Sequence, residues 1–61
     1  MEVIAMDEAR NAYGQVLFQK GKHYKVTSAL TGSRIFVFNE LHTESPFPRR
    51  RFHELFEIIE K

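Results

Sequence analysis

Residues 22–41 read KHYKVTSALTGSRIFVFNEL and carry the clearest secondary-structure signal of the chain. Two segments rich in β-branched and aromatic residues flank the short turn Thr31-Gly32-Ser33. This pattern predicts a β-hairpin. Residues 34–41 are the most apolar segment, and we interpret them as the central strand around which the rest of the chain folds.

The central strand differs from an ordinary half-buried strand because both of its faces are apolar. Ile35 and Val37 point to one face, whereas Phe36 and Phe38 point to the other. A strand with one solvated face should alternate apolar and polar side chains. Two interpretations stay open: the protein covers both faces, which we favour for a domain of this size, or one face is an interaction surface.

The preceding strand does alternate. Tyr24 and Val26 are predicted to lie on one face of it, and His23, Lys25 and Thr27 on the other. Near the start of the chain, residues 3–6 predict a short strand. Residues 7–13 are polar and mixed and predict an irregular loop, which Gly14 interrupts. The whole loop extends over residues 7–19, with the apolar residues 16–18 as an arm packed on the fold.

The C-terminal third contains a proline signal and an ambiguous segment. Phe47 lies between Pro46 and Pro48, which predicts an edge strand or an extended loop because proline cannot donate to a ladder. Residues 49–61 fit one helix, or a helical turn over residues 50–55 and then a strand over residues 56–60. A single helix would place three arginines at its positive end, so we favour the turn and strand.

These elements predict an all-β protein, a small five-stranded SH3-like barrel with one short helical turn near residues 50–55. The 61 residues are predicted to form a single domain. Five strands, a long first loop and a helical turn before the last strand are typical of such barrels. Closure of a barrel also limits the exposed edges of a small sheet.

Composition narrows the class of protein. There is no cysteine, so disulfides and thiolate metal sites are excluded, and a reducing cytoplasm is the predicted location. The net charge is +1, which is not the strongly basic balance of a non-specific nucleic-acid binder. No apolar run approaches the length of a membrane span.

No catalytic signature is present. The serines lack a nucleophile-elbow context, no glycine-rich phosphate loop occurs, and the carboxylates are scattered. His23, His42 and His53 match no metal-ligand spacing. The chain is therefore predicted to be non-enzymatic, with no metal and no cofactor.

Two groups of residues are candidates for binding. Arg49, Arg50 and Arg51 are suited to phosphates or to carboxylates of a partner, although a solvated turn explains them equally well. The lysines that are candidates to join them on one surface are Lys20, Lys22 and Lys25. The second group is an aromatic surface formed by Phe36 and Phe38, with Tyr24 or Phe47 nearby. The competing interpretation places these phenylalanines in the core.

The segments GKHYKV, RIFVFNEL, FPRRRF and FEIIE together resemble small SH3-like proteins of phages and prophages of Gram-positive bacteria. The resemblance extends over nearly the whole chain and concerns architecture, and many of these proteins have no assigned activity. It implies a compact barrel, phage-encoded, that acts on a host component in the host cytoplasm. The loop over residues 7–19 is longer than the simplest of these proteins need.

We therefore expect a small protein-binding module that binds a host protein and inhibits or redirects it. The alternative is a nucleic-acid-binding barrel that uses the three arginines and exposed aromatic residues. A third possibility is a homodimer formed through the apolar face of the central strand.

Overall fold

The computed structural model of the protein describes residues 1–28 and 34–59. Its elements, in chain order, are β1 (Glu2–Ala5), β2 (Ala9–Arg10), β3 (Val16–Phe18), β4 (His23–Ser28), β5 (Arg34–Phe38), β6 (Glu44–Pro48), α1 (Arg49–Leu55) and β7 (Phe56–Ile59). The predicted turn Thr31-Gly32-Ser33 and the predicted end of the last strand at residue 60 lie outside the described residues. Within the described parts of the chain, no helix has the length and apolar character needed to cross a bilayer.

The main sheet has five strands in the order β6-β5-β4-β1-β7. All of its pairings are antiparallel. The mainly β fold with one short helix is confirmed, and so is the pairing of β4 with β5 that the hairpin signal predicts. The short helix and the strand that follows it confirm the preferred interpretation of the C-terminal segment over a single long helix.

Closure of the sheet into a barrel is not observed. Strands β6 and β7 stand at the two ends of the hydrogen-bonded order and are not neighbours in it. The chain passes directly from β6 to β7 through α1, which packs against β5, β6 and β7. The buried ring of Phe52 on α1 therefore covers the core where a closed barrel would have hydrogen bonds between strands.

The loop predicted over residues 7–19 is instead a small hairpin of β2 and β3. The Asn11 side chain makes its turn, because its Oδ1 atom accepts hydrogen bonds from the backbone N–H groups of Tyr13 and Gln15 at 2.9 and 3.0 Å. Gly14 follows with a φ of 83°, a left-handed conformation that glycine adopts without steric cost. The packed arm predicted over residues 16–18 is present as β3, with Phe18 fully buried.

One face of the sheet carries the core. Eight buried apolar residues form it: Val3, Ala5, Phe18, Tyr24, Ile35, Val37, Phe52 and Phe56. Phe18 stands at its centre, with ring centroids 4.8 Å from Tyr24 and 5.0 Å from Phe56 in edge-on geometry. Such aromatic pairs contribute about 1 kcal/mol each beyond the area they bury. We call this side of the sheet the inner face and the opposite side the outer face.

Strand β6 confirms the edge position predicted from its prolines, because it ends the sheet. The hydrogen bond from Asn39 N–H to the Thr43 carbonyl, 2.8 Å long, sets which β6 residues bond to β5. The direction of the backbone hydrogen bonds alternates along an antiparallel pair. The backbone groups of Ser45 and Phe47 therefore point toward β5. The backbone nitrogens of Pro46 and Pro48 then point away from β5, toward the open edge of the sheet. Their missing N–H groups cost no ladder hydrogen bond there.

Candidate functional site

Strand β5 separates the core from a second apolar surface. Ile35 and Val37 are 4% and 0% exposed on the inner face. Phe36 is half-buried and Phe38 is 39% exposed, and neither belongs to the core or to the residues packed against it. The other four phenylalanines pack with one another around the core. The rings of Phe36 and Phe38 therefore remain on the outer face, and the favoured interpretation, which buries both faces of the strand, is wrong for Phe38.

Neighbouring strands extend this outer surface. Phe36 pairs with Pro46 of β6, and Phe38 pairs with Glu44. On the other side, the pairing of Val26 with Val37 places Lys25 next to Phe38 on the same face. We call Lys25, Phe36, Phe38 and Pro46 the outer patch. It combines two aromatic rings and a proline with one lysine.

Beside the outer patch lies a surface depression of about 300 Å³ at the ends of β4 and β5. We call it the β4–β5 depression. Its lining residues are Glu2, Lys22, His23, Tyr24, Lys25, Phe38, Asn39, Glu40 and His42. Phe38 and Lys25 belong to both the patch and the depression, so the two form one continuous surface.

The Glu40 carboxylate organises the wall of the depression. Its Oε2 atom accepts a 2.7 Å hydrogen bond from the Tyr24 hydroxyl and lies 2.6 Å from the Lys22 ammonium. Gln19 donates a longer bond of 3.3 Å from its side-chain amide. The Glu40 backbone N–H in turn donates to the Leu17 carbonyl at 2.9 Å. The turn after β5 is thus fastened to both β4 and the β2–β3 hairpin.

This network shifts two pKa values. The Lys22 ion pair, and next the Tyr24 hydroxyl, lower the pKa of the Glu40 carboxyl. Burial raises the pKa of the Tyr24 phenol to about 12, and Glu40 adds to this, although the Gln19 N–H donor works in the opposite direction. Each pKa moves so that Glu40 stays ionised and Tyr24 stays protonated over a wide pH range. The bonded pair of Tyr24 and Glu40 therefore keeps one charge state near neutral pH.

The turn that holds His42 is built around a buried asparagine. Asn39 is 5% exposed, and its Oδ1 atom accepts from the backbone N–H groups of Leu41 and Thr43 at 2.9 and 3.1 Å. Its Nδ2 atom donates to the hydroxyl groups of Thr43 and Ser45 at 2.9 and 2.7 Å. Every polar atom of the Asn39 side chain is therefore satisfied, which buried polar groups require.

The same turn places His42 in a left-handed backbone conformation, with a φ of 65°. This conformation is uncommon for residues other than glycine, although histidine is among those enriched in it. The imidazole lies against Phe38, with ring centroids 5.9 Å apart. Glycine would adopt this backbone without strain but would leave Phe38 without its neighbour. His42 both contacts Phe38 and lines the depression, so it is part of the surface.

Charges around the depression balance at neutral pH. Lys22 and Lys25 contribute two positive charges, whereas Glu2 and Glu40 contribute two negative ones. Lys22 already pairs with Glu40, and Glu2 lies opposite Lys25 in the ladder. The surface thus offers Phe38, framed by polar and charged side chains, and not a field of one sign.

The predicted site residues fall into two separate groups. Lys25, Phe36 and Phe38 lie together on the outer patch. Lys25 is thus next to the exposed ring and not beside the arginines, with which the sequence-based prediction groups it. Tyr24 is predicted from the sequence as a possible neighbour of the exposed rings, but its own ring is only 7% exposed and packs on Phe18. Its hydroxyl bonds to the Glu40 carboxylate, so Tyr24 shapes the site and adds no exposed aromatic face.

The three arginines lie elsewhere. Arg49, Arg50 and Arg51 form the exposed first turn of α1, immediately after Pro48. Pro48 pairs with Arg34 at the opposite end of β5 from Phe38. Arg34 and Phe38 are four positions apart along the strand, roughly 13 Å at the usual rise per residue. Arg51 is also in an ion pair with Glu54 at 2.8 Å, so the basic end and the exposed ring are distinct surfaces.

Three contributors to the site are not among the predicted binding residues: Asn39, Glu40 and His42. They meet through tertiary contacts, such as the Tyr24–Glu40 bond across 16 positions of sequence. No sequence spacing signals such a network. The only available hint is the polar segment after the apolar strand, which is typical of a turn.

The described residues offer no group of three or more histidine, aspartate or glutamate side chains that could hold a metal ion. In chemical terms, the depression supplies hydrogen-bond donors, paired charges and an exposed ring. Such a surface is suited to recognition of another molecule.

Comparison with protein-family models, with curated proteins and with solved structures found no match to this chain. The resemblance to SH3-like phage proteins accordingly stays a prediction.

Proposed function

We propose that the protein is a small non-enzymatic binding module that docks a partner protein on the outer patch and the adjoining depression. The observation that carries this proposal is the position of Phe36 and Phe38. Both rings lie on the face opposite the core, and Phe38 is 39% exposed at the rim of the depression. Aromatic residues are enriched where proteins bind one another.

The composition of the surface favours a protein partner over a nucleic acid. Stacking of bases on aromatic rings requires a basic groove along the same path. Here the exposed phenylalanine and the arginines of α1 lie at opposite ends of β5. Among the residues that line the depression, lysines and glutamates occur in equal number. This mixed rim suits a protein surface, which presents both signs of charge.

The resemblance to phage proteins suggests the setting. We propose that the protein is phage-encoded, acts in the cytoplasm of a Gram-positive host, and inhibits or redirects the host protein that it binds. A rigid surface on a small scaffold is sufficient for such a role, because blocking a partner requires binding and no chemistry.

Affinity capture from a nuclease-treated lysate of a Gram-positive bacterium tests the class of partner. We expect one protein in stoichiometric amount, retained equally by the wild type and by an Arg49→Ala/Arg50→Ala variant. The same capture is repeated from a lysate without nuclease treatment. Recovery of nucleic acid and of no stoichiometric protein there would contradict the proposal.

Titration with single- and double-stranded oligonucleotides at about 50 mM salt provides the complementary test. Phosphate contacts produce an affinity that falls steeply as salt rises. We expect no saturable binding. Binding that is lost in the Arg49→Ala/Arg50→Ala variant would establish the alternative, a nucleic-acid-binding domain.

A further inference from the structure

The two edge strands of the sheet differ in what they offer to another strand. On β6, Pro46 and Pro48 occupy positions that face away from β5, so neither supplies an N–H group to a neighbour. Proline at an edge is one of the means by which proteins prevent edge-to-edge pairing. Strand β6 is therefore closed to extension along most of its length.

The outward groups of β7 follow from the hydrogen bonds of β1. The Ala5 backbone bonds toward β4, since its N–H donates to the Lys22 carbonyl and its carbonyl accepts from Gly21. The next residue, Met6, donates to the Leu55 carbonyl at 2.7 Å and so faces β7. Because the hydrogen-bonding direction of the backbone alternates along a strand, the backbone groups of Ile4 also point toward β7.

Ile4 pairs with Glu57, and Glu2 pairs with Ile59. The backbone groups of Glu57 and Ile59 therefore bond to β1. The backbone groups of Phe56 and Ile58 point the other way, toward the open edge of the sheet. The Phe56 N–H already donates to the Phe52 carbonyl of α1. Among the described residues, Ile58 thus presents both an N–H and a carbonyl to the outside of β7, and its side chain is 38% exposed.

We propose that two copies of this chain pair antiparallel through β7, with the twofold axis at Ile58. In this register the Ile58 N–H of each copy donates to the Ile58 carbonyl of the other. The two exposed Ile58 side chains then lie side by side, which removes apolar surface from water. Glu57 comes opposite the Ile59 of the other copy, so like charges are not directly opposed.

The structure favours a second copy over an unlimited chain of copies. A pairing related by a twofold axis uses the same edge in both molecules and is complete at two. The other edge, β6, is blocked by its prolines, so the dimer has no open strand with which to continue. The outer patch lies on a face of the sheet and not on this edge. The dimer and the proposed function therefore stand independently.

The pairing region is short, so the dimer should be weak. Interfaces well below the usual 1,200 Å² or so belong to transient complexes. Sedimentation equilibrium from about 10 µM to about 1 mM covers the corresponding range of dissociation constants. We expect the average mass to rise toward twice that of the monomer. A monomer mass over the whole range would overturn the proposal.

Two variants and one control locate the interface. Ile58→Pro removes the outward N–H without removing a donor to β1, as the natural prolines do on β6. Ile58→Lys places two like charges beside each other at the axis. We expect both variants to be folded by circular dichroism and monomeric. The control Leu41→Lys changes an exposed apolar residue far from β7 in sequence and should dimerise like the wild type.

Hydrogen exchange gives a readout that does not depend on substitutions. The Ile58 and Glu44 N–H groups both face outward, on β7 and β6 respectively. We expect exchange at Ile58 to slow as concentration rises, while Glu44 stays unchanged. Dimerisation that leaves Ile58 exchange unaffected, or that persists in both Ile58 variants, would place the interface elsewhere and overturn the proposal.

Discussion

The two faces of β5 carry similar side chains but play different parts. On the inner face, Ile35 and Val37 are almost fully buried among the core residues. On the outer face, Phe36 is half-buried and Phe38 is exposed beside a polar depression. Apolar side chains on the inner face stabilise the fold, whereas those on the outer face remain available for contact. A strand that is apolar on both faces thus combines one face that builds the core with one that leaves an aromatic ring exposed.

The largest expected effect is on the inner face. Ile35→Ala should destabilise the protein by about 2–4 kcal/mol, because it removes buried methyl groups and leaves a cavity in a small core. Urea unfolding monitored by circular dichroism measures this cost. The corresponding change on the outer face, Phe36→Ala, should cost clearly less. Equal costs would contradict the division between the two faces.

Tyr24→Phe tests the residue that connects the core to the depression. Loss of the hydroxyl leaves the Gln19 N–H and the Glu40 carboxylate without this partner, which should cost about 1–2 kcal/mol near pH 7. Urea midpoints of the two proteins give the difference.

The difference in stability between wild type and Tyr24→Phe should depend on pH. The folded state raises the pKa of Tyr24 from its ordinary value of 10.0 to about 12. Burial of the neutral phenol therefore stabilises the wild type fully below the unfolded pKa, and this contribution is lost as the pH rises from 10 to 12. The stability difference between wild type and Tyr24→Phe should shrink over this window. A difference that is constant or grows would refute the assignment.

A small effect on stability is expected on the outer face. Phe38→Thr keeps a residue with high β propensity and removes an exposed ring that is not part of the core. The cost should be about 1 kcal/mol or less, which corresponds to a fall of only a few degrees in Tm. Thermal unfolding checks this. A loss as large as that of Ile35→Ala would show that Phe38 supports the fold.

The smallest expected effect has the opposite sign. His42→Gly relieves the left-handed backbone conformation at a φ of 65° and should stabilise the protein by about 0.5 kcal/mol, after the greater freedom of glycine in the unfolded chain is counted. The control His42→Ala removes the imidazole but keeps the strain, so it should not gain. Stabilisation by alanine and not by glycine would rule out strain as the cause.

Local patterns were sufficient to predict much of this fold. Alternation in β4, the apolar segment of β5 and the prolines of β6 each have a short-range physical cause, and all three strands appear where expected. The arginines before Phe52 argued against a long helix, and α1 indeed ends at Leu55. The predicted strand extends to residue 41, whereas β5 ends at Phe38. The strand is shorter because Asn39 folds back on Thr43 and begins the turn.

Features that depend on tertiary contacts could not be read from the chain. Strands β2 and β3 are too short for a periodic signal, and their turn rests on one asparagine side chain. Whether the sheet closes depends on where α1 inserts between β6 and β7. The network at Glu40 joins segments far apart in sequence. Consequently Phe38 and Lys25 were predicted as site residues, but the depression beside them was not.

The most direct test of the central claim measures partner binding by the two faces separately. The protein captured by the wild type is titrated against Phe36→Thr/Phe38→Thr and against Tyr13→Thr, a matched change at a tyrosine that is 89% exposed on the β2–β3 turn. We predict that the double variant stays folded and binds at least about 30-fold more weakly, as loss of aromatic hot spots does. Tyr13→Thr should bind like the wild type. Undiminished binding by the folded double variant would contradict the assignment of the outer face as the binding surface.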